Sequence, residues 1–169
     1  MKKLLLLPLC LSLFGTSNIA ARTVSVDNIT DMKIFGPAMT IKQARILVEV
    51  TGITEHGFEM TTQGYIHLDD IAAGDSKSID CDTTLLEQEK KKQDAMPERF
   101  KEQTGKEGVI TEKELKSITK VRILEINVEM ADGRIGTLKN KDGFDGIGFI
   151  VALREGIVNI CENYEGSYS

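Results

Sequence analysis

The chain has no tryptophan, and only six phenylalanines and three tyrosines among 169 residues, so it lacks the aromatic platform of a sugar-stacking cleft. Beyond its first twenty or so residues it has no apolar run approaching the roughly 20 that cross a bilayer as a helix. It has no dense Lys/Arg stripe interleaved with aromatics, and its pI near 5.2 removes the electrostatic term that dominates nucleic-acid binding. DNA and RNA are not expected partners. It also carries no Gly-x-Ser-x-Gly elbow and no Cys-x-x-Cys pair, which removes two common nucleophile and thiol chemistries. What is present is a globular balance of 41% hydrophobic and 28% charged residues, enough for one ordinary domain with a core.

At the N-terminus Lys2 and Lys3 precede the apolar run from Leu4 to Phe14, and small or polar residues follow to Ala20 and Ala21. Charged, apolar and cleavage regions in that order are those of a secretory signal peptide over residues 1–21, and the short two-lysine leader is of bacterial type. A cut after Ala21 places Ile19 and Ala21 against the peptidase, with a cut after Ala20 as the alternative. A lipoprotein cut before Cys10 does not fit, because bulky Leu9 precedes it and only nine residues would serve as leader. Residues 22–169 are then one exported domain, periplasmic or extracellular, with no stable membrane insertion. Loss of Lys2 and Lys3 lowers the formal charge of −5 by two, which favours a basic partner and speeds its association at low salt. In a eukaryotic secretory route Asn28-Ile29-Thr30 would be a glycosylation sequon.

Without Cys10 two cysteines remain, Cys81 and Cys161, and in an oxidising compartment their simplest fate is one disulfide. Closing a loop of about 80 residues would stabilise the fold by roughly 4 to 5 kcal/mol in the chain-entropy model.

Period-two patterning dominates the rest. Ile46, Val48 and Val50 alternate with Leu47, Glu49 and Thr51 in a strand over 44–53. Phe58 and Met60 alternate with Glu59 and Thr61, and Gln63-Gly64 predicts a turn into Tyr65-Ile66-His67-Leu68. Residues 69–78 read as polar turn. Thr84 and Glu87 form a capping box that predicts a surface helix starting at 84, interrupted near Pro97, and Thr111 with Glu114 predicts a second short helix carrying Leu115 and Ile118. Leu124, Ile126, Val128 and Met130 then share one strand face, and Asp132-Gly133 predicts a two-residue turn into a returning strand at 135–138. The run 149–164 fits either a helix or two strands, and its Ile/Val content favours strands at Phe149–Leu153 and Ile157–Cys161 joined at Glu155-Gly156. The expected fold is α+β, an antiparallel sheet of about five to seven strands with a helical insertion near 84–118.

Three constellations could carry chemistry. The segment from Gln103 to Leu115 resembles an EF-hand calcium loop at Gly108, Ile110, Glu114 and Leu115, but Gln103 and Gly105 stand where oxygen-rich ligands belong. That resemblance implies at most a weak calcium-modulated binding module, and no metal or cofactor is expected. Asp142-Gly143-Phe144-Asp145 is a glycine-rich acidic loop, and Asp142, Phe144 and Asp145 would suit contact with a protein partner. His56 and His67 flank the expected hairpin with Glu55, Glu59, Asp69 and Asp70, and could serve a small secreted hydrolase or metal-dependent enzyme if folding gathers them. The reading favoured by these residues is an exported, non-enzymatic interaction protein.

Overall fold

The computed structural model describes residues 22–33, 36–105, 115–144 and 148–163. In chain order these form β1 (Thr23–Asn28), β2 (Ile41–Thr54), β3 (Glu59–Ile71), β4 (Ser76–Asp80), α1 (Cys81–Thr104), β5 (Leu115–Met130), β6 (Ile135–Phe144), β7 (Gly148–Arg154) and β8 (Ile157–Asn163). The described residues are mostly β with one helix, so the α+β outline holds. The expected count of five to seven strands does not: the described residues form eight, in two sheets. β1 and β4 went unread because each is short and its pairing is remote or polar. β1 pairs β7 in parallel across more than a hundred residues, and β4 pairs β1 through the residues read as turn.

One sheet has the order β4-β1-β7-β8, and the longer has β3-β2-β5-β6 with every pairing antiparallel. Val24, Val26, Phe149, Val151, Leu153, Val158 and Ile160 from the first meet Ile46, Val48, Ile66, Ile126, Val128 and Met130 from the second in one buried cluster. Successive side chains of a strand point to opposite faces, so this alternation alone buries one face of each sheet. The long strands outrun the short sheet, and the N-terminal turns of α1 fill the uncovered end through Leu85, which is 4% exposed. Gly64 makes room for it: a Cβ there would stand 2.8 Å from Leu85 Cδ2. The expected turn at Gln63-Gly64 is therefore absent, and β3 runs straight through it because this glycine serves a close approach to the helix.

Both hairpins of the long sheet turn through three residues, Glu55-His56-Gly57 and Ala131-Asp132-Gly133. In each, the glycine N–H donates to the carbonyl three residues back, and the glycine takes a left-handed φ of +80° or +88°. The second turn is where the sequence puts it, one residue longer than expected. The tight β7–β8 turn at Glu155-Gly156, with φ of +52° and +79°, falls as expected.

Irregular pairing explains two further departures. β2 skips Leu124, pairing Leu47 with Glu125 and Val48 with Ile123, so this bulge reverses the parity. Ile123 turns inward at 3% exposure and Leu124 is only half-buried. Leu115 and Ile118, expected on a short helix, lie on β5 and are buried there, because pairing with Thr54 and Gly52 overrides the local capping signal. That capping box itself lies outside the described residues. α1 starts at Cys81, three residues before the expected position. Asp80 accepts a bond from the Thr83 N–H at 3.0 Å, and Thr84 donates back to the Asp80 carbonyl instead of capping.

Two polar knots hold the sandwich. The Arg22 guanidinium donates to the Ile118 and Thr119 carbonyls, both at 3.1 Å, and stands 3.7 Å from Asp82 in the first turn of α1. Burial raises the Asp82 carboxyl above its usual range, with Arg22 opposing and Asp80 reinforcing. Asn28, 1% exposed, donates to the Met39 and Ile71 carbonyls at 2.8 and 2.9 Å and accepts from the Thr30 N–H and hydroxyl at 3.2 and 2.7 Å. The sequon asparagine is thus a structural residue with its amide nitrogen sealed inside, not an acceptor presented on a surface.

Candidate functional site

The cysteines are free, and the fold separates them. Cys81 follows β4 and Cys161 lies on β8, the two opposite edges of the short sheet. Three strand spacings amount to about 14 Å, whereas a disulfide needs Cα atoms within about 7 Å. The expected bridge therefore has no geometry here. Burial, with smaller contributions from Asp82 and Asp80, pushes the Cys81 thiol up to about 12, so it is an inert core group. Cys161 is exposed.

The two histidines are also apart. His56 sits exposed in the β2–β3 turn, while His67 lies exposed far along β3, in register with Arg45. The ten residues of turn and extended strand between them amount to about 30 Å of chain. They cannot share one catalytic or metal site, and no group of three or more His, Cys, Asp or Glu among the described residues could hold a metal ion. The cleft between α1 and the long sheet, lined by Val50, Gly64, Leu85, Glu89 and Leu115, has about 10 Å³ of free space, room for about one water molecule.

Phe144 is not an exposed anchor. It ends β6 half-buried and meets Phe149 edge-on at 6.1 Å, because its backbone pairs with Ile123. Asp142 is exposed, its N–H donating to Asn140 Oδ1 at 3.0 Å and its carbonyl accepting from Arg122. Asp145 lies outside the described residues, as do the leader at 1–21 and most of the segment that resembles a calcium loop. Leu115, at the end of that segment, opens β5 where an EF-hand would continue as a helix.

What the fold does assemble is the outer face of the long sheet. Register sets His67, Arg45, Asn127 and Thr137 in one row, and Tyr65, Leu47, Glu125 and Lys139 in the next. The Arg45 guanidinium carbon lies 3.9 Å from the Tyr65 ring centroid, a diagonal cation–π contact, and the Tyr65 and His67 rings are 6.4 Å apart. Most charges on this face are paired internally: Lys42 with Glu129 at 2.7 Å, Lys139 with Glu125 at 2.9 Å and Arg122 with Glu49 at 3.6 Å. Hydrogen bonds from Lys139 and Asn127 hold the Glu125 carboxyl below its usual range, and the bond to Glu129 raises the Lys42 ammonium above its own. Arg45, Tyr65 and His67 thus stand as a polar-aromatic group beside these ion pairs. Sequence alternation places all three on one face, but only the cross-strand register brings Arg45 to Tyr65.

The edge beside this group is guarded. Gln88 donates to the Tyr65 carbonyl at 2.5 Å, Lys92 to the Gln63 carbonyl at 2.7 Å and Lys77 to the Asp69 carbonyl at 2.6 Å. Long side chains thereby occupy carbonyls that an added strand would need. Among the described residues no helix is long and apolar enough to cross a membrane. Compared with family models, curated proteins and solved structures, the chain matches none.

Proposed function

We propose that this chain is an exported, non-enzymatic interaction protein that binds another protein through the outer face of its long sheet, as an inhibitor, an immunity factor or an accessory of an envelope machine would. The observation that carries the reading is the Arg45–Tyr65–His67 group. Tyr and Arg are the residue types that dominate interface energetics. Here they are displayed on a four-stranded antiparallel sheet, which fixes their positions before any partner arrives and lowers the ordering cost of binding. Export to the periplasm or exterior is supported by the leader at 1–21, and the acidic charge left after its removal supports a basic partner. The hydrolase alternative loses its basis with the separation of His56 from His67, and no observation favours the calcium-modulated module.

Cell fractionation with N-terminal sequencing tests the export half of this reading. Arg22 as the first residue of a periplasmic or secreted chain is the expected result, and a cytoplasmic chain retaining Lys2 and Lys3 contradicts it. Gentle capture of the tagged exported chain at low salt, with mass spectrometry of what accompanies it, tests the interaction half. A stoichiometric protein released by salt is expected.

A further inference from the structure

The β2–β3 turn presents a second feature that the face does not use. Alternation puts Phe58 on the same side as Met60, which packs against the core, yet Phe58 is 71% exposed. Phe58 lies just before the start of β3, and the pattern that half-buries Met60 leaves it uncovered. Its backbone is nonetheless tied to the opposite strand. The Thr54 N–H donates to the Phe58 carbonyl at 2.8 Å, and the Phe58 N–H donates to the Thr54 hydroxyl at 3.1 Å. Thr54 itself is only 6% exposed, so the turn is anchored from inside the fold. The same tip carries Glu55 in the turn and Glu59 at the start of β3, where alternation turns it to the other face from Phe58; both are exposed and neither is paired with a cation among the described residues. An exposed aromatic ring on a hairpin tip that also carries two unpaired carboxylates has a definite complement.

We propose that the β2–β3 tip is a plug: Phe58 enters an apolar pocket on a partner protein whose rim carries Lys or Arg against Glu55 and Glu59. This rests on the interaction reading above and adds the partner's chemistry at a second contact point. The occupant is a basic-rimmed protein rather than a second copy of this chain, because two copies meeting at this tip would oppose four carboxylates.

The test is the full chain, exported from its native cell with benzoyl-phenylalanine in place of Phe58, irradiated and analysed by mass spectrometry of the crosslinked peptides. The expected product joins position 58 to another protein, at a peptide containing Lys or Arg. The Glu55→Lys/Glu59→Lys double variant should lower its yield about tenfold, while Glu98→Lys on α1 leaves it within about twofold. A Phe58→Ser chain should melt with the parent, which checks that the tip carries no folding role. Absence of a product, a crosslink within the chain or to a second copy, or a yield unmoved by charge reversal would each overturn the plug. The same probe at position 65 separates the two readings: a partner caught from 65 but not from 58 removes the plug and leaves the face intact, and capture from neither removes both.

Discussion

Replacing Asn28 by alanine should destabilise the fold by about 3 to 4 kcal/mol, because the side chain makes four hydrogen bonds, three of them fully buried, and its loss leaves two backbone groups without that partner. The Met39 carbonyl keeps a partner, since the Thr30 hydroxyl also lies 2.9 Å from it. The Ile71 carbonyl and the Thr30 N–H lose their Asn28 partner, and Thr30 is 0% exposed, so water cannot replace it there without opening the structure. Each orphaned buried group costs about 1 to 3 kcal/mol, which sets the total. At about 2 to 4 °C per kcal/mol for a chain of this size, the melting temperature should fall by about 6 to 16 °C. Urea unfolding followed by circular dichroism gives the free energy directly. Thr30→Val should cost less and add sub-additively with Asn28→Ala, because the two side chains belong to one network. A loss under about 1 kcal/mol for Asn28→Ala would refute the account of how Asn28 ties Met39 to β3.

Other expectations follow from packing and burial. Gly136→Ala would place a Cβ 2.7 Å from Val158 Cγ1 where β6 crosses close to β8; a loss of about 1 to 3 kcal/mol in thermal unfolding is expected, partly recovered by adding Val158→Ala. Iodoacetamide at pH 8 should label Cys161 quickly and spare Cys81 until the chain unfolds, and mass spectrometry showing two protected cysteines would contradict the free-thiol arrangement. Since the Cys81 thiol is raised to about 12 in the fold from an ordinary 9.0, its contribution to stability is complete below pH 9 and declines as pH rises from 9 toward 12. Cys81→Ala should remove that part of the alkaline loss in unfolding titrations. Glu89 is buried at 6% exposure with Lys92 and Gln93 only at 3.5 and 3.4 Å. Replacing it with leucine beside Val50, Leu85 and Leu115 should be neutral or stabilising by about 1 kcal/mol in urea unfolding, and a loss above 1 kcal/mol would show that the ion pair carries α1.

The strands that the sequence declares are those whose alternation is long and local. Ile126, Val128 and Met130 with the Asp132-Gly133 turn are read correctly because strand, turn and partner are adjacent in the chain. β1 fails that test: Val24 and Val26 are two apolar residues whose partner, β7, is remote. Gly64 misleads because a glycine admitting a helix looks the same in sequence as a glycine turning a chain. Leu124 and Ile123 exchange roles because a bulge changes parity, and nothing local marks it. For the site, His56 and His67 drew attention by rarity, but β3 runs straight and separates them. Arg45 and Tyr65, twenty residues apart and unremarkable in sequence, meet only through the register of β2 with β3. Phe58 was visible as one step of an alternation, and no local pattern encodes its exposure.

The central claim is that the outer face of the long sheet holds a partner protein, and its most direct measurement compares the wild-type exported chain with Arg45→Ala and Tyr65→Ala in low-salt capture with quantified partner recovery. Both side chains are exposed, so both variants should fold as the parent does. The account predicts that the same stoichiometric partner falls about tenfold or more with each variant. Equal recovery from all three chains, or a wild-type chain that emerges alone, would contradict it.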